Sequence, residues 1–326
     1  MNGIERGKLL RDEIFAAYET KAQDRRPNSL RPSELGHECS RYLWYRFRWA
    51  DEFETFPGRL LRLFDTGHSQ EDRLVADLRR VGAEVYARDP DNPAEQIAMK
   101  LMGGHSKGYL DLIGGGVPHS KHEWVLGECK SHNDKSFKAL VKDGVEVAKP
   151  SHFAQMQIYM DQHGLEEGLY IAVNKNDDDI YCQFIDYNKR YADNLRSKAE
   201  MIVFREDAPQ RVNNNPTYFK CKFCNAAPVC HGGELPSRSC RTCYAARPIT
   251  EKEQGDMQIS KPEWMCEKHG VVLDLDAQRR GCEDHRFHPD MVKGEPTDDF
   301  VYKKEDGSYW TDEGPSGDSV FVPAAE

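Results

Sequence analysis

Gly108-Tyr109-Leu110-Asp111 is followed, one hairpin's length later, by Glu128-Cys129-Lys130, and Gly114-Gly115-Gly116-Val117-Pro118 between them reads as a turn. This arrangement constrains the fold more than any other feature of the chain. Strands alternate their side chains, so Glu128 and Lys130 share a face with Leu126, while Cys129 points the other way. With Asp111 on the paired strand, its face carries Tyr109 and Ile113. The two acids can then converge on one divalent cation with an ammonium beside them. Oxygen ligands suit magnesium, and a metal-bound water next to a lysine is a nucleophile for phosphodiester hydrolysis. A surface hairpin with an ordinary cross-strand ion pair uses the same residue types, so the surrounding sequence has to decide.

Upstream, apolar residues at Leu60, Phe64, Leu74, Val75, Leu78 and Val81 predict a helix over 57–82, stopped by Gly82. Gly67, His68 and Glu71 fall on the same stripe. A carboxylate on a buried face is costly unless it is paired or ligates a metal; at the stripe's edge it would reach solvent. Strands are expected at 83–88, 97–102, 107–113 and 124–131, then helices at 135–143 and 152–163. Two more strands, 169–174 and 180–187, precede a helix over about 188–205. The order predicts an α/β sandwich with a mixed sheet flanked by helices. Gln155 and Tyr159 sit four apart on one helical face. Residues 1–26 read as an amphipathic helix through Leu10, Ile14, Phe15 and Tyr18, and Ser33 can cap a helix start. The stretch from Cys39 to Phe47, dense in aromatics and arginine, reads as a packed helix with an exposed arginine face or as a stacking and phosphate-binding surface.

The 326 residues carry a net charge of -10, but residues 236–326 hold 12 Lys/Arg against 19 Asp/Glu and leave only -3 to the rest. A local basic groove is compatible with that, whereas simple electrostatic coating of DNA is disfavoured. No apolar run approaches the about 20 residues of a membrane span, and the N-terminus lacks a signal-peptide core. A cytoplasmic protein, in a bacterial cell or a phage-infected host, is expected. There the ten cysteines argue for metal sites or free thiols rather than disulfides. Cys221-x2-Cys224-x5-Cys230 is a three-cysteine run that needs a fourth ligand from elsewhere. Beyond Pro236, Cys240-x2-Cys243, Cys266-x2-His269 and Cys282-x2-His285 offer more donors than the four a structural zinc takes. Cys240, Cys243 and Cys266 are the expected Zn2+ ligands, with the fourth from His269, Cys282 or His285. The acidic stretch from about Pro289 reads as a small β appendage or a tail that touches a partner protein. Three regions are thus expected: 1–235, 236–290 and 291–326.

Over residues 30–231 the pieces resemble the RecB-like branch of the PD-(D/E)XK nuclease superfamily, which includes phage exonucleases and the iron–sulfur nuclease of CRISPR adaptation. Gly67-x-x-x-Glu71, Gly108-x-x-Asp111 and Glu128-x-Lys130 look like its first three motifs, and Gln155-x-x-x-Tyr159 like its Q-x-x-x-Y motif. Leu110 stands where many relatives have proline, and Glu71 where many have histidine, so that His68 is available to assist. The resemblance implies a restriction-endonuclease-like core and a Mg2+- or Mn2+-dependent deoxyribonuclease. Asp111, Glu128, the Cys129 carbonyl and Glu71 would hold the metal, and Lys130 would orient or activate water. Gln155 and Tyr159 would position the DNA backbone. It further implies that Cys39 joins Cys221, Cys224 and Cys230 around a 4Fe–4S cluster, although four thiolates suit zinc equally. An exonuclease acting on DNA ends or single strands in phage or bacterial DNA processing or recombination is the leading expectation. A structure-specific or restriction-type endonuclease and a non-catalytic DNA-binding adaptor are the alternatives. A recombination or single-strand-binding protein is a candidate partner, and oligomerisation is left open because relatives include monomers and closed rings.

Overall fold

The computed structural model describes residues 1–20, 26–52, 55–250, 262–298, 300–313 and 321–322. Three helices come first: α1 (Gly3–Thr20), α2 (Ser40–Phe47) and α3 (Gly58–Arg80). Then follow β1 (Glu84–Tyr86), β2 (Ala98–Leu101), β3 (Ser106–Tyr109), β4 (Leu112–Gly115) and β5 (Trp124–His132). Helices α4 (Asp134–Ala148) and α5 (Pro150–His163) lead to β6 (Glu167–Asn174), β7 (Ile180–Asp186) and α6 (Lys189–Phe204). The main sheet has the order β1-β4-β5-β6-β7, parallel between β5 and β6 and antiparallel elsewhere. It is the expected mixed sheet.

Its two faces are covered by different helices, which is why all eight residues of β6 are buried rather than alternating. Leu74, Val75 and Leu78 of α3 pack with Val125, Cys129, Leu169, Ile171 and Val173. On the other face Leu126, Tyr170 and Ala172 meet α5, whose Ala154, Met156, Ile158 and Met160 are all sequestered. Cys129 therefore faces α3, and Glu128 and Lys130 face α5.

Three local expectations change. Residues 107–113 are two strands: β3 pairs with β2 in a separate hairpin, and β4 enters the main sheet. The chain bends at Leu110-Asp111, where Leu110 is fully buried and its N–H donates to Ile97 O at 2.9 Å. Asp111 thus sits on the bend and not on a paired strand. Regular helical geometry in α4 ends at Asp143, as expected: Gly144, at φ +72° and ψ 174°, is a kink beyond which a second helical stretch continues to Ala148, with the Val145 N–H donating to Gln183 Oε1 at 2.9 Å. Val81 is outside α3 and 59% exposed. Leu10 and Ile14 of α1 are exposed; Phe15 and Tyr18 are half-buried, and the helix meets the start of α3, where Glu19 accepts the Gly58 N–H at 2.6 Å.

The aromatic helix α2 is core, with Leu43, Trp44, Tyr45 and Phe47 buried. Its arginines are not a free phosphate-binding face, because each is already engaged. Arg46 is bonded to Glu34 at 2.6 Å and Asp51 at 3.0 Å, and Arg41 donates to Tyr45 Oη and Pro209 O at 3.1 Å each.

Beyond 236, β8 (Ala246–Pro248), β9 (Trp264–Cys266) and β10 (Val271–Leu273) make a three-stranded antiparallel sheet, followed by a short helix at Leu275–Arg280. A four-stranded antiparallel sheet, from Glu295–Asp298 to Phe321–Val322, occupies the acidic stretch. The apolar core crosses the expected boundary without a break: Trp264, Ala246 and Met291 belong to the same cluster as Trp44 and Phe47. Arg241 is its fastener. This fully buried guanidinium donates to Gln278 Oε1 at 2.9 Å, Phe47 O at 3.0 Å and Asn28 O at 2.8 Å. It also lies 4.1 Å from the Trp49 ring centre and 4.8 Å from that of Trp264. Oxygen acceptors and ring faces replace the lost hydration of the charge.

Candidate active site

The bend at Asp111 and the middle of β5 place three of the expected groups together. The Cys129 N–H donates to Asp111 Oδ2 at 2.8 Å, and Lys130 Nζ donates to the same oxygen at 3.1 Å. Lys130 Nζ also donates to the Cys129 carbonyl at 3.0 Å and is ion-paired with Glu128 Oε1. From α5, Gln155 Nε2 donates to Glu128 Oε2 at 3.1 Å. Tyr159, one turn on, is packed against β3. A Cβ at Gly108 would stand 2.3 Å from Tyr159 Oη and 2.9 Å from Pro32 Cδ, so this position requires glycine. Glu71 reaches the cluster from α3.

Three carboxylates against one ammonium leave the cluster short of positive charge. Burial, and after it the charge of Asp111, pushes the half-buried Glu71 carboxyl up to about 7. Burial also raises Glu128, which is fully enclosed, with Asp111 adding to the effect and Lys130 opposing it. For Lys130, burial works against the charge, but Glu128 and Asp111 outweigh it and hold the ammonium above its usual range. Glu128 Oε1 is buried and accepts no hydrogen bond, its ion pair with Lys130 apart. Hard oxygen donors with an excess of negative charge are what a magnesium or manganese ion takes, so the donor set fits such an ion. Among the described residues no three His, Cys, Asp or Glu side chains already converge on a common metal position. Lys130 now stands between Asp111 and Glu128.

The cluster is open on two sides. A cavity of 620 Å³ is lined by Arg31, Trp49, Phe56, Phe64 and Lys175; one of 1250 Å³ is lined by Lys100, Lys107, Tyr109, Tyr159 and, from the C-terminal region, Leu273 and Asp274. His68, Glu71 and Asp111 line both. His68 is exposed and makes no recorded bond to the acids.

One polar chain beside the cluster escaped the sequence reading. Tyr170 Oη is bonded to His132 Nε2 at 2.9 Å and to His152 Nδ1 at 2.8 Å, with the rings stacked. Burial lowers His132 to about 4 and His152 to about 3, so both are neutral near pH 7. Spacing was the available signal. His132 is two residues past Lys130 on the same strand face, and His152 three before Gln155 on the same helix.

Eight of the ten cysteines gather in two groups. Burial raises the Cys221 and Cys224 thiols, and each also feels Cys39 and Cys230, so these four are neighbours. Arg211 Nε donates to Cys230 Sγ at 3.3 Å, and Asn225 O accepts the Glu52 N–H at 3.0 Å, tying this loop to the rim of the smaller cavity. The second group comprises Cys240, Cys243, Cys266 and Cys282. His285 is not part of it: Nδ1 is bonded to Arg238 at 3.0 Å and Nε2 to Thr242 Oγ1 at 3.2 Å.

No family model matches the chain. Peroxynitrite isomerase 2 of Mycolicibacterium paratuberculosis is 37% identical over 75 residues, 23% of this chain and 30% of that protein. The chain therefore spans less than a third of that relative's length, and the relative's activity is not carried over. Among solved structures, SSO0001 aligns with TM-score 0.37 and 17% identity over 69% of this chain and 96% of its own. The alkaline exonuclease LHK-Exo of Laribacter hongkongensis aligns with TM-score 0.39 and 15% identity over 58% of this chain and 89% of its own. Its complex with dAMP gives 0.40 with the same identity and coverage. Likeness at this level assigns no activity.

Proposed function

We propose that the chain is a metal-dependent deoxyribonuclease, acting as an exonuclease at DNA ends or in single strands. The observation that carries the reading is the convergence of Asp111, Glu128 and Lys130, with Glu71 and Gln155 beside them, at the meeting point of two open cavities. Asp111, Glu128, the Cys129 carbonyl and Glu71 would hold Mg2+ or Mn2+, with Lys130 swung out from between the acids. A bound ion would lower the pKa of its water and offset charge developing on the phosphate. Lys130, an ammonium beside the metal-binding acids, would orient the attacking water and stabilise negative charge on the phosphoryl oxygens. Gln155 fixes the Glu128 carboxylate. Tyr159, lining the larger cavity with Lys100 and Lys107, positions the DNA backbone. Cys39, Cys221, Cys224 and Cys230 would hold a 4Fe–4S cluster or zinc, joining the start of the core to its end.

The test incubates the protein with end-labelled single-stranded, linear duplex and circular DNA in Mg2+ or Mn2+, alongside Lys130→Ala. Degradation of linear but not circular DNA, reduced by roughly 10²–10⁴-fold in the variant, is the expected result. Cutting of circles transfers the site to an endonuclease. Binding of DNA without cleavage in either metal would leave a non-catalytic adaptor and overturn the reading.

A further inference from the structure

Three backbone segments, far apart in sequence, are laid side by side in the C-terminal region. The Cys243 N–H donates to Cys240 O at 3.1 Å, closing a tight knuckle. Tyr244 N–H donates to Arg286 O at 3.0 Å, and Cys243 bridges to Phe287, so 282–287 runs along 240–244. Glu267 N–H donates to Ala245 O at 2.8 Å, and Cys266 pairs with Ala246. Gly281 packs on Ser239, where a Cβ would lie 3.7 Å from Ser239 Cα, bringing Cys282 up to Cys240.

We propose that Cys240, Cys243, Cys266 and Cys282 form a four-thiolate structural zinc site that fixes the C-terminal wall of the larger cavity. Backbone N–H groups of Arg286 and Ala245 lie beside the Cys243 sulfur, and Cys240 Sγ stands 3.3 Å from Ala277 O, the carbonyl that also accepts the Gly281 N–H at 3.2 Å. A metal thiolate uses such N–H donors to spread its charge. Cys240, Cys243 and Cys266 are 7–8% exposed and Cys282 is exposed, so a metal there is covered by three of its ligands and reached by solvent from the side of the fourth.

Of the other donors of the sequence pattern, His285 is committed elsewhere, whereas His269 stands at the rim beside Cys282 and is the competitor for the fourth position. Both ring nitrogens of His285 are bonded, to Arg238 and Thr242. His269 Nε2 is paired with Asp284 at 3.2 Å and stands 4.0 Å from Cys282 Sγ. The sulfurs do not yet converge at ligating distance, and zinc, which takes four thiolates at about 2.3 Å, would draw them in. The site controls more than its own loop. Leu273, Asp274 and Gln278, which line the larger cavity, lie between Cys266 and Cys282. The inference stands independently of the nuclease reading, because it concerns metal content and not cleavage.

The test is metal analysis of the full chain by mass spectrometry after exhaustive dialysis, for wild type, Cys282→Ser, His269→Ala and His285→Ala. The expected result is one zinc per chain fewer in Cys282→Ser and unchanged zinc in both histidine variants. Cys282→His, which keeps a ligand at the position, should recover the ion and so separates ligand loss from misfolding. Zinc lost in His269→Ala or His285→Ala but retained in Cys282→Ser overturns the assignment. Equal zinc in all variants does so too.

Discussion

His105 joins the mixed-sheet core to the C-terminal region, and its chemistry gives the stability of that junction a specific pH dependence. Its ring is fully buried against Phe47, Phe204 and Trp264, and Nε2 donates to Ile249 O at 3.0 Å, which makes it the neutral Nε2–H form. Nδ1 has no partner. Burial, opposed by the Ile249 bond and helped by the nearby Arg241 charge, lowers its pKa from 6.5 to about 4. On acidification the unfolded chain takes the proton first, so stability is fully present above pH about 6.5 and falls as pH drops towards 4. At about 1.36 kcal/mol per pKa unit, wild type should lose about 2–3 kcal/mol from this residue between about pH 7.5 and pH 4.5. His105→Phe keeps a ring in the same apolar surroundings and cannot titrate. Near pH 7.5 it should be less stable by about 1 kcal/mol for the lost hydrogen bond. As pH falls the gap should close and then reverse. Urea unfolding of both proteins across this range measures it, and His132, His152, His285 and His288, also lowered, titrate equally in both. Parallel pH profiles for wild type and variant would refute the reasoning.

Two further perturbations separate the site from the scaffold. Gln155→Leu removes the amide that donates to Glu128 Oε2; cleavage should fall roughly 10–100-fold, with thermal unfolding little changed, and a large loss of stability with unaltered cleavage would count against a positioning role. Arg241→Met leaves three acceptors, two of them buried, without their donor; denaturant unfolding should show a loss of roughly 3–5 kcal/mol, and a change below about 1 kcal/mol would mean that water or Arg48 takes over.

The main sheet was readable because short apolar runs bounded by turn residues mark strands even where, as in β6, burial on both faces removes the alternation, and period-3.6 stripes mark the covering helices. The carboxylates and lysine were readable because a two-residue spacing on a strand fixes a common face. Asp111 was placed on a strand because nothing in Gly108-to-Ile113 signals a bend: the bend arises from Leu110 entering the core and β2–β3 forming a hairpin of its own. The arginines of α2 look like a surface in sequence, yet their partners, Glu34, Asp51 and the Pro209 carbonyl, come from separate segments. For the same reason spacing alone left the fourth ligand of the C-terminal cysteines open. The bonds of both His285 ring nitrogens, to Arg238 and Thr242, are equally invisible to spacing. The His132–Tyr170–His152 chain draws on a strand, a neighbouring strand and a helix, and no local pattern joins all three.

Arg241 also sets a timetable for biosynthesis. Its carbonyl acceptors at Phe47 and Asn28 lie 194 and 213 residues earlier in the chain. While the ribosome is still making the middle of the protein, the faces of Phe47 and Trp49 that this guanidinium later covers have no such neighbour. Closure across so long a separation comes late, and the uncovered aromatic surface is a site for chaperone capture or aggregation in the interval. The same stretch of chain supplies the wall of the larger cavity, so the finished groove and the finished core arrive in one step.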